Sequence, residues 1–198
     1  MTSSTNTHPS TFVRWPREIA AAVTLRAACA ALVAPEHPED ALDPRRAVVV
    51  TTACGALATR FALVAFIAAR DTPTPRSVRS FDPFRDPTPP ALTGTGPAPD
   101  RVRLRVAGDR CASAWRHWRA ERPGGVDDAI GAAGALALAA WCSWALGSPA
   151  RALVRAQHAL DTWADDPLAA LVARSVRAGN GPSWSTDHTG RTGSSTVG

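Results

Sequence analysis

The stretch Ala129 to Gly147, AIGAAGALALAAWCSWALG, carries no charge. That is about the length, roughly 20 residues, of a bilayer-spanning helix. A chain holding such a segment must either pass it through lipid or bury it on all sides. The flanking sequence favours burial. Gly147 and Ser148-Pro149 form a helix-to-helix turn signal, and the next helix is amphipathic. Ala152, Ala156, Ala159, Leu160 and Trp163 form one stripe, while Arg151, Arg155 and His158 fall largely outside it. A further helix after Asp166-Pro167 places Leu168, Leu171, Val172 and Ser175 on one face. These stripes need a neighbour, and a helix that is apolar all round supplies it. The stretch is mainly Ala and Gly, which drive partitioning into lipid weakly. We therefore expect a core helix and no membrane span.

The remaining boundaries follow from caps and breakers. MTSSTNTHPSTF lacks a basic region followed by an apolar core, so 1–14 is expected to be a disordered leader and not a secretory signal. Trp15-Pro16-Arg17-Glu18 opens a helix to about Val33, stopped by Pro35 and Pro38. Asp43-Pro44 caps a second element. One long helix to Arg70, with Gly55 as a weak point, is preferred there over a short strand at Val48 to Thr52 followed by a turn at Gly55 and a helix. Arg60 inside that run argues against a span. Together 15–70 form an N-terminal helical pair. Residues 71–100 are rich in Pro, Thr and Gly and poor in aliphatics, which predicts a linker, with Phe81 and Phe84 as hydrophobic anchors. RVRLRV, 101–106, alternates like a strand but is too short to decide between strand and helix. Helical text then runs from Asp109 to Arg122 and stops at Pro123-Gly124-Gly125. Helices over about 127–146, 149–164 and 167–178 complete a C-terminal region, 101–179, followed by a polar flexible tail, 180–198. The expected fold class is mainly α.

The C-terminal region carries two resemblances. Its A-x3-A-x2-A-L pattern, followed by Asp-Pro and another amphipathic helix, resembles tetratricopeptide (TPR) helical hairpins, with about one and a half units visible. The stretch GALALAAWCSWALGSPARALVRAQHALDTWADDPLAALVARSVRAGNGPSW, Gly134 to Trp184, also resembles an uncharacterised bacterial domain-of-unknown-function family. That family closes with a Gly-x-Pro-x-x-Trp-like element, matched here by Gly179 to Trp184. Its N-terminal part has no recognisable counterpart beyond Pro38 to Asp40. The resemblance implies a helical fold and supplies no activity or site.

Chemistry is sparse. Asp127-Asp128 and Asp165-Asp166 are paired carboxylates, but each pair stands at a helix start, where capping and the helix dipole explain it. His37 lies in an acidic loop with no second His at ligand spacing. Gly94 to Gly96 and Gly124-Gly125 lack the frame of a phosphate loop. Cys29, Cys54, Cys111 and Cys142 are widely spaced, form no CxxC pair and are expected as buried, reduced thiols of a cytoplasmic protein. No metal, cofactor or catalytic constellation is implied.

The formal charge is +5 and the pI about 10.1, which suggests an anionic partner. Every basic residue is Arg, however, as codon bias in a GC-rich coding sequence would produce. The one segment with a sharper reading is Arg101 to Arg122. Arg101, Arg103, Arg105 and Arg116 are candidate phosphate contacts, with Trp115 and Trp118 as stacking partners for bases. The competing reading packs Cys111, Trp115 and Trp118 on the core, with Arg119 and Arg122 stacked on the tryptophans. The leading expectation is a non-enzymatic scaffold or interaction module for a protein partner. The alternative is a nucleic-acid-binding accessory protein using 101–122.

Overall fold

The structure, a computed structural model, describes residues 15–34, 42–71, 74–121 and 125–188. The expected leader, the Arg122 stacking contact, His37 and the end of the tail lie outside them. Within the described residues the fold is mainly α, with no strand. The helices are α1 (Trp15–Val33), α2 (Pro44–Ala53), α3 (Leu57–Ala68), α4 (Arg101–Glu121), α5 (Val126–Ala145), α6 (Pro149–Thr162) and α7 (Pro167–Arg177).

α5 is the central element. From Ile130 to Ala145 every residue is buried, and α2, α4, α6 and α7 all pack against it. Its length and mean hydropathy of 1.2 would suffice to cross a membrane, yet 89% of that apolar window is covered by the protein itself. Its Ala and Gly content explains this arrangement, since small side chains let neighbouring backbones come close. At Gly134 a Cβ would stand 2.3 Å from the Cys54 carbonyl oxygen. The expected cap of α5, Asp127, is corrected: the helix starts at Val126, and its cap lies two residues earlier than expected. Gly125 is the N-cap, and Asp127 and Asp128 lie in the first turn, where Asp127 meets Arg17 at 3.1 Å.

The expected single helix over 44–70 is two helices. Asp43 caps α2 by accepting from the Arg46 N–H. The chain then turns through 111° between Ala53 and Leu57. Thr59 holds the turn, its hydroxyl donating to the carbonyls of Ala53 and Ala56. An unbroken helix would extend about 40 Å at 1.5 Å per residue. The bend lets Val50 on α2 and Leu63 and Ile67 on α3 enter one core. It also brings Arg60 to Asp166.

The strand-like 101–106 is the first part of α4. Asp100 accepts from the Arg103 N–H at 2.6 Å, a capping signal hidden at the end of a Pro-rich run.

The expected linker over 71–100 is corrected for its described residues, 74–100, which form a strap across the helices. Leu92 is buried. The Phe81 ring meets Phe61 edge-on, with centroids 5.3 Å apart. The Trp141 indole donates to the Ala91 carbonyl at 3.2 Å. Low apolar content is compensated by anchors that the helices supply. The strap thus closes one body in place of two regions, because α1 and α2 also pack directly on α4.

The expected tail is likewise docked over 180–185. The Trp144 indole donates to the Asn180 carbonyl at 2.8 Å. The half-buried Trp184 indole donates to Ala145 at 3.0 Å. Ser183 N–H donates to the Gly94 carbonyl at 2.8 Å, joining strap to tail. Gly94 has φ +77, and a Cβ there would lie 2.5 Å from the Trp144 ring and 2.7 Å from Pro182 Cα. Gly94→Ala should therefore cost about 1–3 kcal/mol, combining a left-handed backbone with overpacking. A urea midpoint unchanged from wild type would show that this junction is not closed in solution.

Candidate functional site

The predicted arginine segment divides on folding. Arg103 turns inward and closes the C-terminal end of α3. Its Nε donates to the Ile67 carbonyl at 2.9 Å, one terminal nitrogen to Asp71 at 3.1 Å, and the other to Ala69. Those carbonyls lack helical partners, so a guanidinium there satisfies acceptors and complements the dipole. Arg103 is thus a structural cap and not the expected phosphate contact, since Nε and both terminal nitrogens are engaged by carbonyls. Arg101, Arg105 and Arg116 are exposed and share the outward face of α4. Arg101 reaches the Leu146 carbonyl at 3.5 Å, and Arg116 bonds back to the Ala112 carbonyl at 3.5 Å. Asp109 also borders this face, its carboxylate bound to Arg155 at 2.7 Å.

Of the tryptophans beside them, Trp115 is engaged. The Trp115 indole donates to Thr162 at 3.0 Å. Its ring stacks on His158 with centroids 5.8 Å apart, and Arg119 lies over it at 5.2 Å. The packing reading of Trp115 and the expected Arg119 stack are both present. One of the two expected base-stacking partners, Trp115, is therefore already occupied by protein groups, whereas Trp118 lines a separate cleft and its indole N–H has no partner among the described residues. Arg155, which falls outside the apolar stripe of α6, is half-buried. Besides Asp109 it donates to Ser143 at 3.0 Å and to the Ala139 carbonyl at 3.2 Å, clamping α4, α5 and α6.

A concave site that the sequence did not disclose lies between α3 and the strap. The cavity has a volume of about 460 Å³, within the range of pockets that take compact ligands or peptide side chains. Phe61, Ala65, Phe66 and Ala69 form its α3 side, and Val78, Phe81, Pro87, Pro89 and Pro90 its strap side. Arg79 pairs with Asp86 across the strap. Arg70, at the end of α3, lines the same cavity, is exposed and has no ion pair among the described residues. Of the two expected aromatic anchors, Phe81 is one. Phe84 instead projects from the Asp82–Asp86 turn, 97% exposed. Only the positions of the two phenylalanines hinted at this site. The period of α3 gave no sign of a groove, because its second wall comes from a segment with the composition of a linker.

No protein-family model, curated protein or solved structure matches the chain.

The four cysteines are buried and unbridged. Burial pushes Cys29, Cys54 and Cys142 from 9.0 up to about 12, and Cys111 also well upward. Thiolates are the reactive form, so the folded protein should resist alkylation at pH 8 and react at all four sites once unfolded. Early labelling of any one would disprove its burial. The sign of the pH dependence follows from the same shift. Each thiol stays neutral in the fold above the pH at which it ionises in the unfolded chain. Its contribution to stability is full below pH 9.0 and is lost as pH rises toward about 12. No three His, Cys, Asp or Glu side chains among the described residues are grouped to hold a metal ion.

The other buried charges are structural. Arg60 and Asp166, 4% and 0% exposed, pair at 2.6 Å. Asp166 also caps α7 through the Ala169 N–H at 2.9 Å. The capping expectation for the Asp165-Asp166 pair is met by Asp166, which does a second task that sequence did not suggest. Arg110, also buried, donates to the Ala31 carbonyl at the end of α1.

Proposed function

We propose that the protein is a non-enzymatic interaction module that docks an apolar, acid-flanked segment of a protein partner in the groove between α3 and the strap. The observation carrying this reading is the groove itself: aromatic and proline walls, with Arg70 uncommitted at one end. Apolar side chains would fill the cleft, and a carboxylate of the partner would meet Arg70. Phe84, displayed by the same strap, adds exposed aromatic area of the type enriched at interfaces. A TPR-like reading of α5 to α7 fits the same role, since α5–α6 and α6–α7 are packed neighbours joined at Gly147-Ser148-Pro149 and Asp166-Pro167. Four free thiols fit a reducing, cytoplasmic setting.

Ala65 provides the test. It is exposed in the groove on a regular helix turn, so Ala65→Glu should leave the fold intact while placing a charge against apolar walls. Partner retention by the wild-type chain, insensitive to nuclease and lost in Ala65→Glu, is the expected result.

The alternative reading, nucleic-acid binding, rests on Arg101, Arg105 and Arg116 sharing one outward face. It predicts retention that nuclease abolishes and Ala65→Glu leaves unchanged. It also predicts a salt slope of about −0.7 per phosphate contact on single strands, flattened in Arg116→Ala.

A further inference from the structure

α1 is apolar around most of its circumference but covered along only part of it. Ala21, Leu25, Ala28 and Leu32 form its buried side, where α2, α3 and α4 pack. On the outer side Ile19 and Val23, one turn apart, are 56% and 76% exposed, and Ala22, Ala27 and Ala30 are exposed with them. A scattered exposed aliphatic residue is ordinary, but neighbours along one helix face form a patch that a partner can cover. α1 carries three charged residues. Arg17 is engaged by Asp127 of α5 at 3.1 Å. Glu18 and Arg26 are exposed, and neither has an ion pair among the described residues. Arg26 donates through Nε to the Val78 carbonyl at 3.3 Å, and its terminal nitrogens have no partner among the described residues. At about 100° per residue, Glu18 and Arg26 stand on the same side of the Ile19–Val23 stripe.

We propose that α1 is the contact helix of a symmetric homodimer, packed antiparallel on α1 of a second copy about a two-fold axis at Ala22. The charges select this occupant. Glu18 and Arg26 lie at equal distances along the chain on either side of Ala22. A two-fold axis there sets Glu18 of each copy beside Arg26 of the other and closes two ion pairs. The surface at such an axis must be complementary to itself, and a face with one acid and one base equally far from its centre meets that demand. A parallel pair would set Glu18 against Glu18 and Arg26 against Arg26, which is repulsive. Ile19 and Val23 pack across the contact, and Ala22 at its centre lets the two axes approach to about 8 Å. One helix from each copy makes a small interface, below about 1,200 Å² in total, so the dimer exchanges with monomer at micromolar to millimolar concentrations. The contact uses none of the residues that line the α3 groove and stands independently of the reading of that groove.

Sedimentation equilibrium of the full chain over micromolar to millimolar concentrations tests this. The wild type should pass reversibly from monomer to dimer. Glu18→Arg sets arginine against arginine, and Arg26→Glu sets glutamate against glutamate. Each variant alone should therefore dimerise at least about tenfold more weakly. Mixed in equal amounts, the two should recover the dimer, because every facing pair is then Arg with Glu. The double variant, Glu18→Arg with Arg26→Glu, should dimerise again by itself. A folding defect from the lost Val78 contact would not be repaired by mixing, so recovery in the mixture separates the contact from the fold. Val23→Gln, exposed within the apolar stripe, should weaken the wild-type dimer while leaving helical circular dichroism and the melting temperature unchanged. A wild type that stays monomeric throughout the range overturns the proposal. Self-association retained by both single variants does so as well, since the contact then lies on another surface. A mixture no more associated than its two components has the same consequence.

Discussion

Asp166→Ala is expected to destabilise the protein more than any other single truncation described above, by about 3–5 kcal/mol from the ion pair and about 1 kcal/mol from the lost cap. The ion pair dominates because Arg60 is left charged, 4% exposed and without its carboxylate. Folded domains of this kind have only about 5–15 kcal/mol in total, so the variant should be mostly unfolded in mild denaturant. Asp166→Asn separates the charge from the cap. Its side-chain oxygen can still accept from Ala169, so it removes the first and keeps the second. Adding Arg60→Met to Asp166→Asn should recover most of the loss, because a neutral pair leaves no uncompensated charge in the core. Urea unfolding of wild type and these three variants forms the test. A loss below about 1 kcal/mol for Asp166→Ala, against the range expected for a buried pair, would mean that water reaches Arg60 in solution.

Trp141→Ala should cost about 3–5 kcal/mol. Trp141 is wholly buried in α5, and its indole holds the strap by donating to the Ala91 carbonyl. The substitution should therefore act in two places. It should lower the melting temperature by many degrees and also release the strap, so that proteolysis after Arg76, Arg79 or Arg85 accelerates beyond what the lower global stability explains. Trp141→Phe keeps most of the volume and removes the donor, so it should chiefly produce the second effect. Trp184→Ala, at a half-buried site, should cost less than Trp141→Ala but more than a residue in a free tail would. Equal proteolysis rates in wild type and Trp141→Phe would show that the Ala91 contact does not hold the strap.

Much of the local structure was legible because short-range rules govern it. Asp43-Pro44, Ser148-Pro149 and Asp166-Pro167 each stand at a helix start, and Gly147 and Gly179 take the positive φ that ends α5 and α7. The absence of charge in Ala129 to Gly147 correctly marked the most buried helix. Where the local reading failed, distant groups were responsible. Gly55 was legible as a weak point, but the helix period is continuous across it, so nothing local announced that the chain would bend there and carry Arg60 to Asp166. Arg103 and Arg116 look alike in sequence. One is spent on the carbonyls of α3 and the other faces solvent, according to which side of α4 meets a neighbour. The strap and the Trp184 segment are polar and Pro-rich, and composition alone marks such segments as linker or tail.

The sequence by itself thus determined the helical class, most helix ends, the identity of the central helix and the burial of the cysteines, because capping, periodicity and hydrophobicity act over one or two turns. Only the tertiary structure decided that the two helical regions are one body, which arginines remain available, and that two clefts exist. Clefts are made by surfaces far apart in the chain: α3 with the strap, and the first turns of α1 and α5 with α2 and the end of α4. Their shape follows from how whole helices pack against one another, a long-range property that no local window of residues contains.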